Sequence, residues 1–346
     1  MHASRRPPVP QPWRPLLVLT ALVLVVVACS DASPGSSSNG KDQGLRRFTV
    51  VLDWTPNTNH AGMYVADEKG WYRDAGLDVR FVEPGDSTSL QLLAAGKGDV
   101  AVSIAEEVVP ARAKGLPVQS VAAIVQHNTS SLISLASDGI THPRDLEGKT
   151  YAGYGGQLEK ALLDALVTCD GGDPSKVRMV DVGDVDFRIG LERDQYDVVW
   201  VFDGWDKIRL ADIDGLKVAT IPFADHTDCI PDWYTPLLAA STKTETARAA
   251  DLRSFLAATA RGYRSAMSNP QGAADDLLAA APDLDRDLVE RSARYLSTRY
   301  ADDPARWGHQ DAAVWSRFST FLRAAGLVED EVDPASLWTD DFLPDR

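Results

Sequence analysis

From Phe48 onward the chain alternates between two hydrophobic rhythms. "FTVVLDW" is a short apolar run closed by Asp53 and Trp54, and it reads as a strand. Residues 60–69 then take helical spacing and stop at Gly70. "LDVRFVE" reads as a strand, 87–96 as a helix between a Ser or Thr cap and Gly96, and "DVAVSIA" as a strand. A helix near 107–114 and the strand "VQSVAAIV" follow. Strands separated by helices predict right-handed βαβ units and a parallel sheet.

The pattern then restarts. "TYAGY", "VRMVDV" and "YDVVWVF" read as strands, with "QLEKALLDALVTC" and "DFRIGLERDQ" as the helices between them. Nothing repeats in sequence, so this is a second α/β lobe rather than an array. After "TPLLAAS" the chain turns helical. One helix ends at Asn269-Pro270, two more cover 271–281 and 284–298, and a last one near 310–325 places Trp315, Phe318 and Leu322 on one face. The expected organisation is lobe one from 47–134 and 239–346, and lobe two from 135–238. Two chain crossings join them as a hinged clamp. Ligands of open α/β sheets sit outside the carboxyl ends of the strands, so both lobes are expected to present strand ends to one cleft.

Composition adds a location. Arg5, Arg6 and Arg14 precede the apolar run Leu16 to Ala28, which is short for a bilayer span but suits a signal peptide. The run ends "VVAC", which resembles a lipobox. Residues 1–29 are therefore expected to be a lipoprotein leader with Cys29 as the lipidated residue, and 30–46 a Ser- and Gly-rich tether. The body is then held on the outer face of a bacterial cell membrane by its acyl chains. A net charge of −15 argues against a nucleic-acid partner. Outside the cytoplasm a Cys169–Cys229 disulfide is permitted, although sequence alone does not bring the two together.

The strand ends carry the candidate chemistry. Lobe one offers Asp53, Trp54, Asn57 and His60, then Ser103 and Glu106, with Glu107 beside it, and then Gln126, His127 and Asn128. Lobe two offers Tyr154, Gly155, Gly156 and Glu159, then Phe202, Asp203 and Trp205. Asp232, Trp233 and Tyr234 lie at the return crossing. Trp200, between Val199 and Val201, reads as core. The set is aromatic and carboxylate-rich, with few arginines. Aromatic faces suit a flat ring, carboxylates accept from ring-borne amines, and Asn, His or backbone N–H groups donate to ring nitrogens. An amino-substituted heterocycle fits; a sulfonate or phosphate would call for arginine, although the "GYGG" turn supplies a helix N-terminus. An enzyme reading finds little: the six histidines are scattered, and there is no HExxH and no GxSxG. His60 with Asp53 is the one acid–base pair in view. No metal and no cofactor are expected.

The blocks "LDWTPNTNHAGMYVADEKGWYRDAGLDV", "QHNTS", "DLEGKTYAGYGGQLEKAL", "VVWVFDGW" and "DWYTPLLAAS" together resemble the substrate-binding lipoproteins of ABC importers for thiamine pyrimidine precursors. The resemblance runs from about Phe48 to the C-terminus. It implies a type II periplasmic-binding-protein fold, a monomer, an aminopyrimidine ligand and an ABC permease as partner. Trp54 and one of Tyr154, Trp205 or Tyr234 would stack on the ring. Asp53, Glu106, Glu159 or Asp232 would accept from its amine, and Asn57 and His60 would address ring nitrogens or the side arm. Relatives of this fold bind riboflavin, alkanesulfonates, taurine or nitrate, which are the alternative ligands. The fungal synthase of the thiamine pyrimidine is also similar, with His60 at the position of its consumed histidine. Its cysteine cluster would fall at 231–235, where this chain reads "PDWYT".

Overall fold

The computed structural model describes residues 44–183 and 185–345. The leader, Cys29 and the tether up to Gln43 lie outside the described residues. The chain builds two five-stranded sheets. The first takes β1 (Arg46–Val51), β2 (Leu77–Val82), β3 (Val100–Ser103) and β4 (Val118–Ala123) from the first part of the chain. The second takes β5 (Ser130–Leu135), β6 (Thr150–Gly153), β7 (Arg178–Asp181), β8 (Val198–Phe202) and β9 (Val218–Pro222). Strand β10 (Leu237–Ser241) then returns to the first sheet, whose order is β2-β1-β3-β10-β4; the second has the order β7-β6-β8-β5-β9.

The expected parallel pairing holds for β1 with β2 and β3, and for β6 with β7 and β8. It fails at two places. β10 runs antiparallel to both β3 and β4, and β5 runs antiparallel to both β8 and β9. Both strands lie beside a crossing between the two sheets rather than after a helical crossover, so the right-handed βαβ rule does not govern them. β5 and β9 have no strand reading in the sequence pattern, and β5 joins the second sheet ahead of the 134/135 lobe boundary drawn there.

The helices are α1 (Ala61–Glu68), α2 (Trp71–Asp74), α3 (Ser89–Ala94), α4 (Ala105–Ala113), α5 (Gln157–Cys169), α6 (Phe187–Glu192), α7 (Thr242–Ala247), α8 (Ala249–Ser268), α9 (Pro270–Ala280), α10 (Arg286–Leu296) and α11 (Ala312–Ala324). Thr88 caps α3 by accepting from the Gln91 N–H, as a Ser or Thr before an apolar run should. α8 buries Leu252, Phe255, Leu256, Thr259 and Tyr263 at helical spacing against β1 and α1. Gly262 is there because the backbones touch: a Cβ on it would stand 1.9 Å from the Gly62 carbonyl oxygen. The approach brings Tyr263 under the N-terminus of α1, where it stacks on Trp307 with ring centroids 4.3 Å apart. In the second half, Cys169 at the end of α5 is disulfide-bonded to Cys229, with Cα atoms 5.7 Å apart.

Candidate functional site

A cavity of about 750 Å³ opens where β1, β3, β6 and β8 end. That volume suits a small organic molecule. Two segments of the first sheet reach it. After β1 the chain turns through Asp53, Trp54 and Asn57, all of which line the cavity together with Asn59. This turn is built from within. The Asn57 side chain accepts from the Asn59 N–H at 2.9 Å and donates to the Thr55 carbonyl at 3.0 Å. His60 is fully buried. Its Nδ1 accepts from the Asn57 N–H at 3.3 Å, so Nε2 carries the proton and donates to the Asp53 carboxylate at 2.7 Å. Tyr263 and Tyr300 donate their hydroxyls to the Asn59 and Thr58 carbonyls at 2.7 and 2.6 Å. The Thr58 hydroxyl meets Ser292 of α10, which in turn donates to the Gly204 carbonyl in the segment after β8. Asp53 is thus aimed by a buried stack, while Trp54 stays 46% exposed at the rim.

After β3 come Ile104 and Glu106. Of the two adjacent glutamates, Glu106 faces the cavity. Glu107 instead accepts from the Ser103 hydroxyl at 3.1 Å. Burial pushes the Glu106 carboxyl up to about 8, and Glu107 beside it adds to the rise. The backbone N–H of Glu106 and the nearby Trp233 indole oppose that shift, although the indole N–H lies outside hydrogen-bond geometry. Glu106 Oε2 is buried without a partner among the described residues.

The second sheet supplies the opposite wall. Gly155 takes φ +71°, a conformation that favours glycine, and carries the turn between β6 and α5. Glu159 fastens this turn. Its carboxylate accepts from the Tyr151 hydroxyl at 2.8 Å, the Gly156 N–H at 2.7 Å and the Tyr154 N–H at 3.0 Å. After β8 the chain winds through a π-helical segment at 203–213, which brings Trp205, Asp206, Arg209 and Leu210 to the cavity. Trp200, Phe202, Leu158 and the loop residues Val185 to Phe187 complete the wall. Tyr154 is 59% exposed, and Val185 and Phe202 are also exposed.

Nine predicted residues therefore meet at one cavity: Asp53, Trp54, Asn57, Glu106, Tyr154, Gly156, Glu159, Phe202 and Trp205. Ser103, Gln126, His127, Asn128, Asp203 and Trp233 do not line it, and neither do four others. His60 is packed behind Asp53. Gly155 shapes the turn without lining. Asp232 is occupied with the His127 imidazole at 2.6 Å and the Asn128 N–H at 2.9 Å. Tyr234 is buried against Trp315, with its hydroxyl accepting from the Asp311 N–H at 2.7 Å. Both of the last two lie at a crossing, where they join segments of the fold. Trp200, read as core, lines the cavity instead, and its Nε1 is buried with no partner among the described residues. Asp206, Arg209 and Leu210 escaped sequence reading because their approach depends on the wide π-helical turn, which has no short-range signature.

The lining holds five carboxyl residues, Asp53, Glu106, Glu159, Asp186 and Asp206, against one arginine, Arg209, which stands 3.8 Å from Asp214. No group of three or more His, Cys, Asp or Glu among the described residues is placed to hold a metal ion. The arrangement offers aromatic faces for a flat ring and acceptors for its donors.

Comparison with known proteins gives a consistent setting. Residues 57–273 match the NMT1/THI5 like family. The formylaminopyrimidine-binding protein of Halalkalibacterium halodurans is 28% identical, over 91% of this chain and 95% of its own. The 4-amino-5-hydroxymethyl-2-methylpyrimidine phosphate synthase of Legionella pneumophila is 26% identical, over 86% and 93%. Among solved structures, the periplasmic aliphatic sulphonate binding protein SsuA from Escherichia coli superposes with a TM-score of 0.65 at 16% identity, covering 84% of this chain and 91% of its own. At that identity the likeness speaks for the fold alone, a two-lobed type II periplasmic-binding-protein architecture.

Proposed function

Because the chain belongs to the NMT1/THI5 like family, we propose that it is the solute-binding component of an ABC importer and captures a thiamine pyrimidine precursor. The ligand is an aminopyrimidine of the hydroxymethyl or formylaminomethyl type. The observation that carries this reading is the cavity itself, which is walled by exposed aromatic rings, is rich in carboxyl groups and holds one arginine. The formylaminopyrimidine-binding relative supports the same ligand class. A sulfonate would face five carboxyl residues and a single guanidinium already near Asp214.

In this reading the ring lies against Trp54, with Tyr154 or Trp205 opposite, and Asp53 accepts from the exocyclic amine. The lobes, 47–134 with 239–346 and 135–238, close over it. Contacts to both lobes make the closed state the more stable one, and that differential affinity drives closure. The closed form is what a permease would receive. The protein works as a monomer, anchored by lipid at Cys29 to the outer face of the membrane. It is a binder rather than a synthase: both ring nitrogens of His60 are engaged inside the fold, which supports a positioning role for that histidine.

A thermal-shift panel on the purified protein tests the ligand class. Hydroxymethylpyrimidine and its formylaminomethyl analogue are expected to stabilise it by about 2.7 kcal/mol at 100 times the dissociation constant. Riboflavin, taurine and an alkanesulfonate are expected to leave it unmoved. A shift with one of those three, and none with either pyrimidine, overturns the assignment.

A further inference from the structure

Most polar groups at the cavity already have work inside the fold. Glu159 accepts from three donors of its own turn, and Asp53 accepts from His60. Two groups differ. Glu106 Oε2 and Trp200 Nε1 both belong to lining residues, both are buried, and neither has a partner among the described residues. One comes from the first sheet side and one from the second. Trp233 connects them: its indole lies by Glu106, and its ring packs edge-on to Trp200 with centroids 6.3 Å apart. Buried polar atoms without partners are rare in folded proteins and mark places where another molecule completes the bonding.

We propose that Glu106 and Trp200 form a floor subsite that reads the amidine edge of the ring, with Glu106 acting as a neutral carboxyl. Its O–H donates to a ring nitrogen, its carbonyl oxygen accepts from the neighbouring amino group, and the Trp200 N–H donates to a further acceptor of the ligand. This rests on the aminopyrimidine reading above and assigns the atoms that enforce it. The neutral state follows from the surroundings. Burial disfavours the carboxylate and outweighs the backbone N–H of Glu106 and the Trp233 indole, which favour it, holding the group up to about 8; the Glu107 carboxyl beside it adds to the rise. Asp53 is the other carboxylate acting on this pair, through Glu107, and Arg209 is the one cation in the lining. A carboxylate in the same position would offer acceptors alone and leave the ring nitrogen unpaired.

The test is calorimetric titration of the full chain with 4-amino-5-hydroxymethyl-2-methylpyrimidine between pH 7 and 10. Three forms are compared: wild type, Glu106→Gln and Trp200→Phe. Wild-type affinity is expected to hold up to about pH 8 and then to fall about tenfold per pH unit as the carboxyl ionises. Glutamine keeps one donor beside one acceptor and cannot ionise, so Glu106→Gln is expected to show a flat profile from pH 7 to 10 in place of the wild-type fall, whatever its affinity at pH 7. Trp200→Phe keeps the ring and loses the N–H, and is expected to bind roughly 5- to 20-fold more weakly at every pH. A wild-type profile that stays flat to pH 10, or an equal fall in wild type and Glu106→Gln, overturns the floor subsite and leaves the importer reading standing. No binding by wild type at any pH sinks both.

Discussion

The two walls of the cavity are made differently. On the first sheet side the turn after β1 is fixed from within the fold, and Glu106 keeps an oxygen with no partner among the described residues. Asp53 is held by His60, whose turn is pinned from beneath by the Tyr263 and Tyr300 hydroxyls. On the second side Glu159 is committed to its own turn, and apolar surface on Tyr154, Val185 and Phe202 faces outward. The first wall therefore supplies direction and the second supplies area to be covered. In the aminopyrimidine reading, hydrogen bonds would select an edge of the ligand, while burial of ring and rim would provide the favourable free energy of closing.

Breaking the second half at its covalent link is expected to have the largest effect. Replacing Cys169 and Cys229 with serine removes a cross-link over 60 residues and should lower stability by about 2–4 kcal/mol in denaturant titration. Because neither cysteine lines the cavity, ligand affinity in the folded fraction should stay within a few-fold. A collapse of affinity with stability intact would mean that the second wall, too, is positioned from behind.

Next in size is the rim. Trp54→Ala should weaken pyrimidine binding by about 1–3 kcal/mol while leaving the unfolding midpoint nearly unchanged, because the ring is half exposed. Calorimetry decides this. Affinity equal to wild type in a folded protein removes Trp54 from the site.

The smallest effect belongs to the joint between the walls. His127 lies in the first crossing and holds Asp232 of the second at 2.6 Å, with Asp302 at 3.2 Å. Those carboxylates keep its imidazolium charged up to about 9, hydrogen bonding to Asp232 being the largest cause. An unfolded histidine loses its proton near 6.5. The stabilisation is therefore complete below about pH 6.5 and is lost as the pH rises through about 9. His127→Gln should flatten that decline in thermal midpoint, modestly, since the side chain is largely exposed and screened.

Much of this was legible in the sequence, and the exceptions have physical causes. Apolar strands ending in Asp53-Trp54, in Ser103 and in Phe202 mark the cavity mouth, because α/β sheets deliver their carboxyl ends to one side. The "GYGG" turn marked the opposite wall for the same reason. Glu159 was legible as a first-turn acid, but its lone pairs go to the turn. Tyr234 and Asp232 misled because residues beside a crossing are also good at joining segments. Trp200 misled in the other direction: Val199 and Val201 share a buried face, and the tryptophan between them points to the opposite face, which near the strand's end opens on the cavity. Burial at a strand end depends on what lies beyond the sheet, and alternation carries no information about that.

The position of β10 has a consequence for how the chain is made. Among the named strands β4 pairs with β10, with further bridges from Ser120 to Trp338 and from Ala123 to Gly308, and β3 has β10 along one side. During synthesis β3 and β4 thus precede the strand that joins them, and their ladder stays unfinished until Leu237–Ser241 is made. A chain cut before Leu237 keeps every residue of the second sheet and yet leaves β4 without β10, so the first sheet is the later of the two to have all its strands.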